Sequence, residues 1–211
     1  IEKIYNFADF FHAFRLNKFY KNQVIDAVID VGSHKGEFIN LVIKNQNLPI
    51  FSFEPQKSIR DELIHNTKDF NVKQYFDFAL SDFEGKKNFF LNNLSSTSSF
   101  IKPNNKNFWI KFKKLLLGGN LNTGVQVTKV MSLDNVFDNE LSCYSSILLK
   151  IDVEGYEFNV LNGAKNLIRE NNINLIQIES SNYNIYKDSM NDKTNQLLNE
   201  LGFSIKEQFI F

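Results

Sequence analysis

The segment V-I-D-V-G-S-H-K-G-E-F, residues 28–38, passes from a run of β-branched residues into a turn with two glycines and then into a helix-like pattern. β-Branched residues are typical of strands, and Gly32 and Gly36 permit a tight turn where the strand ends. A strand, turn and helix in this order can bring bare backbone N–H groups up to a ligand at the start of the helix. One glycine-rich turn is weak evidence by itself, so the rest of the chain has to support a binding site.

Short apolar runs alternate with helical patterns along most of the chain, which predicts parallel strands joined by crossover helices. We predict strands at 27–31, 50–54, 72–80, 88–92, 146–152 and 173–179, and helices at 38–43, 58–69, 155–168 and 192–201. A closing extended segment is predicted at 203–211. The predicted fold is therefore α/β, a doubly wound, mostly parallel sheet with helices on both faces.

Two segments lie outside this alternation. Residues 1–23 are predicted to contain an N-terminal helix packed on the domain, because apolar residues recur there at helical spacing: Ile4, Phe7, Phe11, Phe14 and Tyr20. Residues 92–124 begin rich in Ser and Asn and continue as a short basic helix pattern that Gly118 and Gly119 end. We expect 92–124 to be an insertion that covers the cleft and selects the acceptor, since loops carry specificity. The whole chain, 1–211, is predicted to be a single domain.

Composition excludes several classes of protein. The 24 Lys plus Arg balance 24 Asp plus Glu, so the basic surface that binds nucleic acid by counterion release is not expected. The mean hydropathy is −0.29, and no apolar run approaches the roughly 18 residues of a membrane span. With Cys143 as the one cysteine, a reducing compartment is expected, and we predict a cytoplasmic protein. The chain starts with Ile, so we expect it to be cut from a longer one.

The ends of the first two predicted strands favour an adenosine ligand with an amino-acid end. Glu54 lies 22 residues after Gly32, the separation at which an acidic side chain takes both ribose hydroxyls. The G-x-x-x-G spacing differs from the dinucleotide pattern, and no phosphate-binding G-x-x-x-x-G-K-[ST] loop is present. Asp30 would repel a pyrophosphate but could receive the ammonium of an amino-acid ligand, which points to S-adenosylmethionine. The alternative is that Asp30 only caps the turn.

Several motifs together resemble the FkbM-type methyltransferases. They are D-V-G-S-H-K-G at 30–36, F-E-P at 53–55, A-L-S-D-F-E-G at 79–85, S-L-D at 132–134, L-K-I-D-V-E-G-Y-E-F-N-V-L-N-G-A at 149–164 and I-Q-I-E at 176–179. The resemblance implies a Rossmann-like class I methyltransferase fold that binds S-adenosylmethionine. It also implies methylation of oxygen, often a sugar hydroxyl on a glycan, glycolipid or glycosylated natural product.

The resemblance further implies roles for individual residues in cofactor binding. Glu54 would hold the ribose, and Asp77 and Ala79 would lie beside the adenine. Asp152 would face the sulfonium and the acceptor. The methionine end would be held by the turn after the first strand, through Asp30, Gly32, Ser33 and Gly36.

Methyl transfer to a hydroxyl requires a group that removes the acceptor's proton. Asp152 and Glu179, at the ends of neighbouring strands, are the first candidates for this base. His34 is a third, because the pKa range of histidine suits proton transfer near neutrality. No metal ligands are predicted, but paired carboxylates could also hold Mg²⁺, a hypothesis that we do not favour.

Other functions remain open at the level of sequence. The second hypothesis is a non-catalytic nucleotide-binding or interaction domain of a larger enzyme. An NAD-dependent dehydrogenase is disfavoured by the glycine spacing. A nucleic-acid N-methyltransferase is disfavoured by the neutral charge and by the lack of a [DN]-P-P-[YF] segment. The expected partner is a small-molecule or glycan acceptor, and no oligomeric state is predicted.

Overall fold

The structure, a computed structural model, describes residues 13–44, 46–92, 98–101, 122–137, 140–170, 172–179 and 191–208. Helix α1 covers 13–20. The strands are β1 (Ala27–Val31), β2 (Ile50–Phe53), β3 (Val72–Phe76), β4 (Ala79–Leu80), β5 (Gly85–Asn92), β6 (Asn122–Met131), β7 (Ile147–Ile151) and β8 (Ile173–Ile178). The other helices are α2 (Glu37–Leu41), α3 (Lys57–Asn66), α4 (Glu157–Asn162), α5 (Lys165–Glu170) and α6 (Asn191–Glu200), and a 3₁₀ turn spans Leu133–Asn135.

The main sheet has five parallel strands in the order β3-β2-β1-β7-β8. The chain runs outward from β1 through β2 to β3 and then returns to the other side of β1 with β7. This reversal of strand order is the topological switch point of a doubly wound sheet, where ligands bind beyond the carboxyl ends of the strands. The predicted α/β, Rossmann-like architecture is confirmed.

Alternate residues of the central strands face two separate hydrophobic cores. Ala27, Ile29 and Val31 of β1 pack with residues of α4, α5 and α6 on one face. Val28 packs with residues of α1, α2 and α3 on the other. Because side chains alternate along a strand, the apolar runs that predicted these strands supply both cores, and helices cover both faces as predicted.

A second, three-stranded sheet corrects the prediction of one strand over 72–80. Strand β3 ends at Phe76, and Ala79–Leu80 instead form β4 in a sheet of order β4-β6-β5. The break follows from packing between distant segments, since Phe78 lies against Phe53 and Phe76 in the core. Strand β6 had no counterpart in the prediction. The predicted strand at 88–92 is the second half of β5, which pairs antiparallel with β6.

The segment 92–124 connects the paired strands β5 and β6, since Asn92 is the register partner of Asn122. Between these two strands the structure describes 98–101, and the predicted basic helix lies outside the described residues. Ser98, Ser99 and Phe100 are buried, and Phe100 contacts Phe89 with ring centroids 5.0 Å apart. Phe100 belongs to the hydrophobic core, and the role of the rest of the segment as a cover over the cleft stays a prediction.

Two helix predictions are also corrected. The helix predicted at 155–168 is two helices, α4 and α5, separated at Gly163, where a Cβ would lie 2.0 Å from the carbonyl oxygen of Ser81. In α1 the buried residues are Ala13, Leu16 and Tyr20, whereas Phe14 is 63% exposed, so its placement on the packed face was wrong. Tyr20 is buried as predicted, and Ile4, Phe7 and Phe11 lie outside the described residues.

Residues 203–208 form no strand. In the described ranges we find no helix with the length and apolar character needed to cross a membrane.

Candidate active site

The turn after β1 ties the carboxyl ends of three strands together. The N–H groups of Gly32 and Ser33 both donate to the carbonyl oxygen of Phe53, at 3.1 and 3.0 Å. The Ser33 hydroxyl donates to the Asp30 carbonyl oxygen at 2.8 Å and accepts a hydrogen bond from Ser52 at 2.6 Å. A Cβ on Gly32 would lie 1.9 Å from the carbonyl oxygen of Asp152. Glycine at this position therefore allows the ends of β1 and β7 to touch.

These bonds correct one sequence interpretation. The N–H groups of Gly32 and Ser33 are used by Phe53, and that of Gly36 donates to the Ser33 carbonyl at 2.9 Å. They are not the bare donors that the glycine-rich turn suggested. Gly36 instead adopts φ 87°, and a Cβ there would lie 2.6 Å from a methyl carbon of Thr67. The turn shapes the site through its backbone path.

Asp30 is fully buried and forms an ion pair with Lys150, whose side chain is also buried. The Lys150 Nζ lies 3.1 Å from Asp30 Oδ1 and 3.3 Å from Asp152 Oδ2, and it donates to the Gly32 carbonyl oxygen at 2.8 Å. Burial alone would lower the pKa of Lys150, but the two carboxylates outweigh it and hold this pKa above its usual value. Lys150 is therefore charged. Sequence reasoning missed it, although the K-I-D-V-E-G block contains it.

Glu54 follows β2 at the same edge of the sheet and is 4% exposed. Its Oε1 accepts the N–H of Gln56 at 2.8 Å, and Arg60 donates to its main-chain carbonyl at 2.9 Å. Burial raises the pKa of Glu54 to about 7. Burial destabilises the ionised form of this carboxyl group, and hydrogen bonds from hydroxyl groups would stabilise it. This chemistry suits the ribose hydroxyls that the sequence analysis assigned to Glu54.

Asp77 and Ala79 lie where the chain passes from the main sheet to the three-stranded sheet. Asp77 is exposed in the turn after β3, whereas Ala79 is buried in β4 and belongs to the core. Their predicted place beside an adenine stays a prediction. Of the two side chains, only that of Asp77 is exposed to solvent.

Three carboxylates converge where β7 and β8 end. Oxygen atoms of Asp152, Glu154 and Glu179 all lie within 4.8 Å of one another. The Asp152 carboxylate is the main cause of a raised pKa at Glu179, with burial second. Burial would also raise the pKa of Asp152, but the charge of Lys150 outweighs it and the pKa is lowered. The two carboxyl groups therefore titrate as a coupled pair, with the lower pKa at Asp152 and the higher pKa at Glu179.

The loop that carries Glu154 is held in an uncommon backbone conformation. Glu154 has φ 56° and Gly155 has φ 94°, and a non-glycine residue in the left-handed region is strained. The Ser99 hydroxyl donates to the Glu154 carbonyl oxygen at 2.8 Å. The buried carboxylate of Glu157 accepts the N–H of Gly155 at 3.0 Å and that of Val153 at 3.3 Å. Residues that the sequence did not single out thus fix this loop.

His34 lies on the turn after β1, with φ 46°. Its Nδ1 is 2.8 Å from Glu37 Oε1, so the ring is held by a neighbour on α2. A positive charge on this ring would lower the Asp152 pKa, with an effect that ranks after those of burial, Lys150 and the hydrogen bond from Glu179. The structure therefore brings His34 into electrostatic range of Asp152 but pairs its ring elsewhere.

The donor set at this edge suits a cationic ligand that carries a ribose. The carboxylates of Asp152 and Glu154 crowd negative charge next to Glu179, which raises the pKa of Glu179, and a positive charge placed among them would relieve that repulsion. Glu54 offers a buried carboxyl group for hydroxyls. An S-adenosyl sulfonium with an amino-acid end has these features, so the residues present fit this cofactor.

The model of the methyltransferase FkbM domain matches residues 30–205 of this chain, which is most of its 211 residues. Comparisons with curated proteins and with solved structures found no significant match. The matched range includes the turn after β1, Glu54 and the three converging carboxylates. Methyltransferases in general draw the methyl group from S-adenosylmethionine. The sheet, the converging strand ends and the extent of this match agree: the chain belongs to the FkbM methyltransferase family and is a methyltransferase.

Proposed function

We propose that this chain transfers a methyl group from S-adenosylmethionine to a hydroxyl oxygen of a sugar in a glycan, glycolipid or glycosylated natural product. The observation that carries the proposal is the cluster of Asp152, Glu154 and Glu179 at the edge of the sheet, within 4.8 Å of one another. It supplies a charged proton acceptor and negative potential for a sulfonium at one place. Glu54 and the turn after β1 lie at the same edge.

Asp152 is the proposed general base. Bound S-adenosylmethionine would supply an electrophilic methyl group, which leaves the protein to orient the acceptor hydroxyl and to remove its proton. Lys150 keeps Asp152 ionised. Glu179, which has the higher pKa of the pair, is retained as the second candidate for the base, and His34 as the third. Asp30 is proposed to act on the methionine end through Lys150, since its own carboxyl group is buried.

The acceptor is proposed to enter beside the segment 92–124. Ser99 joins this segment to the backbone of Glu154, so acceptor contacts and the acidic cluster are linked. With equal numbers of acidic and basic residues, a nucleic-acid acceptor is not expected. Cys143 is a free thiol, and we propose the cytoplasm as the compartment.

Calorimetric titration with S-adenosylhomocysteine tests the cofactor assignment. The wild type should bind it and should not bind NAD, and Glu54→Gln should bind it at least about tenfold more weakly, the loss expected for a hydrogen-bonded charged group. Asp61→Asn is a control, because Asp61 is exposed and pairs with Lys57. If the folded wild type does not bind, the chain is better described as a non-catalytic domain. If it binds, sugars are screened as methyl acceptors.

A divalent cation is a second way to use the acidic cluster. Three carboxylates within 4.8 Å could ligate Mg²⁺, which would acidify the acceptor hydroxyl. We do not favour this, since Lys150 already lies 3.3 Å from Asp152. EDTA treatment with metal add-back decides it: a methylation rate that EDTA leaves unchanged removes the metal from the proposal.

A further inference from the structure

A row of polar side chains crosses the centre of the main sheet, one residue before the strands end. Ser52, Asp30, Lys150 and Gln177 are register partners on β2, β1, β7 and β8. The first three are buried, and Gln177 Oε1 accepts a hydrogen bond from the Tyr20 hydroxyl of α1 at 2.5 Å. This row lies on the face that otherwise packs apolar residues against α1, α2 and α3. Burying charge there is costly, so its retention calls for an explanation.

Lys150 contacts one residue of this row and two residues of the candidate active site. Its ammonium group has three N–H donors and three neighbours: Asp30 Oδ1 at 3.1 Å, Asp152 Oδ2 at 3.3 Å and the Gly32 carbonyl at 2.8 Å. Asp30 precedes the turn, Gly32 lies in it, and Asp152 ends the adjacent strand. One cation thereby fixes both backbone segments that border the methionine end of the proposed cofactor.

We propose that Lys150 is a positioning residue, which holds the Asp152 carboxylate and the Gly32 turn in the arrangement that binds the methionine end of the cofactor. This inference rests on the proposed function. It assigns a role to a lysine that sequence reasoning passed over, and it gives Asp30 the task of orienting that lysine rather than touching the ligand.

The competing explanation is that Lys150 only neutralises Asp30. A buried ion pair can often be replaced by neutral groups of similar volume with little loss of stability, whereas removal of one partner leaves an unpaired buried charge. Lys150→Met and Asp30→Asn should therefore each lower the melting temperature, and the double variant should recover most of that loss. In the double variant, a change in ligand binding can therefore be attributed to the position of Asp152 and not to loss of stability.

Two ligands report which end of the site has changed. S-adenosylhomocysteine carries the amino-acid end, and 5′-methylthioadenosine lacks it. In the double variant Lys150→Met/Asp30→Asn we expect affinity for S-adenosylhomocysteine to fall about tenfold or more, as for loss of a charge-assisted contact. Affinity for 5′-methylthioadenosine should stay within about twofold, because Glu54 is intact. Lys57→Met is the control, since it removes an exposed ion pair with Asp61.

The outcomes are distinct. A double variant that melts like the wild type and keeps the wild-type ratio of the two affinities would overturn the proposal, because Lys150 would then serve the fold alone. A wild type that binds neither ligand would overturn the proposed function together with this inference. Should the double variant not fold, Lys150→Gln/Asp30→Asn gives the same comparison of the two affinities, since the amide can still donate to the Gly32 carbonyl and no buried charge is left unpaired.

Discussion

Replacing Gly32 by alanine tests whether close contact between the ends of β1 and β7 builds the site. The new Cβ would lie 1.9 Å from the carbonyl oxygen of Asp152, and Gly32 has φ 75°. The left-handed backbone costs an alanine about 1–2 kcal/mol, and forcing main chains apart in a packed region costs about 1–3 kcal/mol more. We therefore expect Gly32→Ala to lower the free energy of unfolding by about 2–5 kcal/mol.

Three other glycines separate the two contributions. Gly202 has φ 87° but open space where its Cβ would lie, so Gly202→Ala should show the backbone cost of about 1–2 kcal/mol alone. Gly163 has φ −87° and a Cβ position 2.0 Å from the Ser81 carbonyl, so it should show the packing cost of about 1–3 kcal/mol alone. Gly124 has open space and serves as the reference.

The assay is urea unfolding followed by circular dichroism, with thermal melts as a second measurement. In a domain of this size each kcal/mol shifts the melting temperature by about 2–4 °C. Gly32→Ala should show the largest shift of the four variants, close to the sum of those for Gly202→Ala and Gly163→Ala. A Gly32→Ala variant no less stable than Gly202→Ala would refute the argument that contact at Asp152 requires glycine.

Two further predictions concern Glu54 and the segment between β5 and β6. Burial raises the pKa of Glu54 from 4.5 to about 7. The free energy of unfolding should therefore fall as the pH rises from 4.5 to about 7, because the unfolded chain loses this proton first. Thermal melts should show Glu54→Gln equal to the wild type near pH 4 and more stable above pH 7; a gap independent of pH would contradict this. Replacing 102–121 by a short linker, with Ser99 and Phe100 retained, should abolish acceptor methylation but spare S-adenosylhomocysteine binding; loss of both would argue against separate acceptor and cofactor regions.

The central strands were predictable because they are mostly apolar in sequence and buried in the structure. Strands β1, β2 and β7 begin and end within one residue of the predicted bounds, and every residue of all three is buried. A continuous apolar run is what burial on both faces requires. The break between β3 and β4 depends instead on Phe78 meeting Phe53 and Phe76, which no local pattern reports.

The convergence of Asp152 and Glu179 was predictable from the sequence, whereas the groups that control their charge were not. Asp152 and Glu179 were identified from their places at strand ends, which topology brings together. Lys150 was missed because its meaning depends on the register of β1 with β7, which sets it opposite Asp30. A lysine inside an otherwise apolar strand is nevertheless a visible signal, since lysine is almost never fully buried unless paired.

The charge at the acidic cluster predicts how cofactor and product differ in affinity. S-adenosylmethionine carries a sulfonium charge that S-adenosylhomocysteine lacks, and a unit charge about 5 Å from a carboxylate gains about 3 kcal/mol at an effective dielectric of 20. Allowing for solvent at the half-exposed Asp152, we expect the wild type to prefer the cofactor by about tenfold or more.

Removal of the Asp152 charge should therefore narrow this preference. In Asp152→Asn/Glu179→Gln, where Glu179 cannot ionise in place of Asp152, the ratio of the two affinities measured by calorimetry should fall. Asp77→Asn should keep the wild-type ratio, because Asp77 is an exposed carboxylate outside the cluster. An unchanged ratio in this double variant would show that these two carboxylates do not lie near the sulfonium. A narrowed ratio would mean that the carboxylates proposed to serve the acceptor also favour release of the product, because methyl transfer removes the charge that they hold.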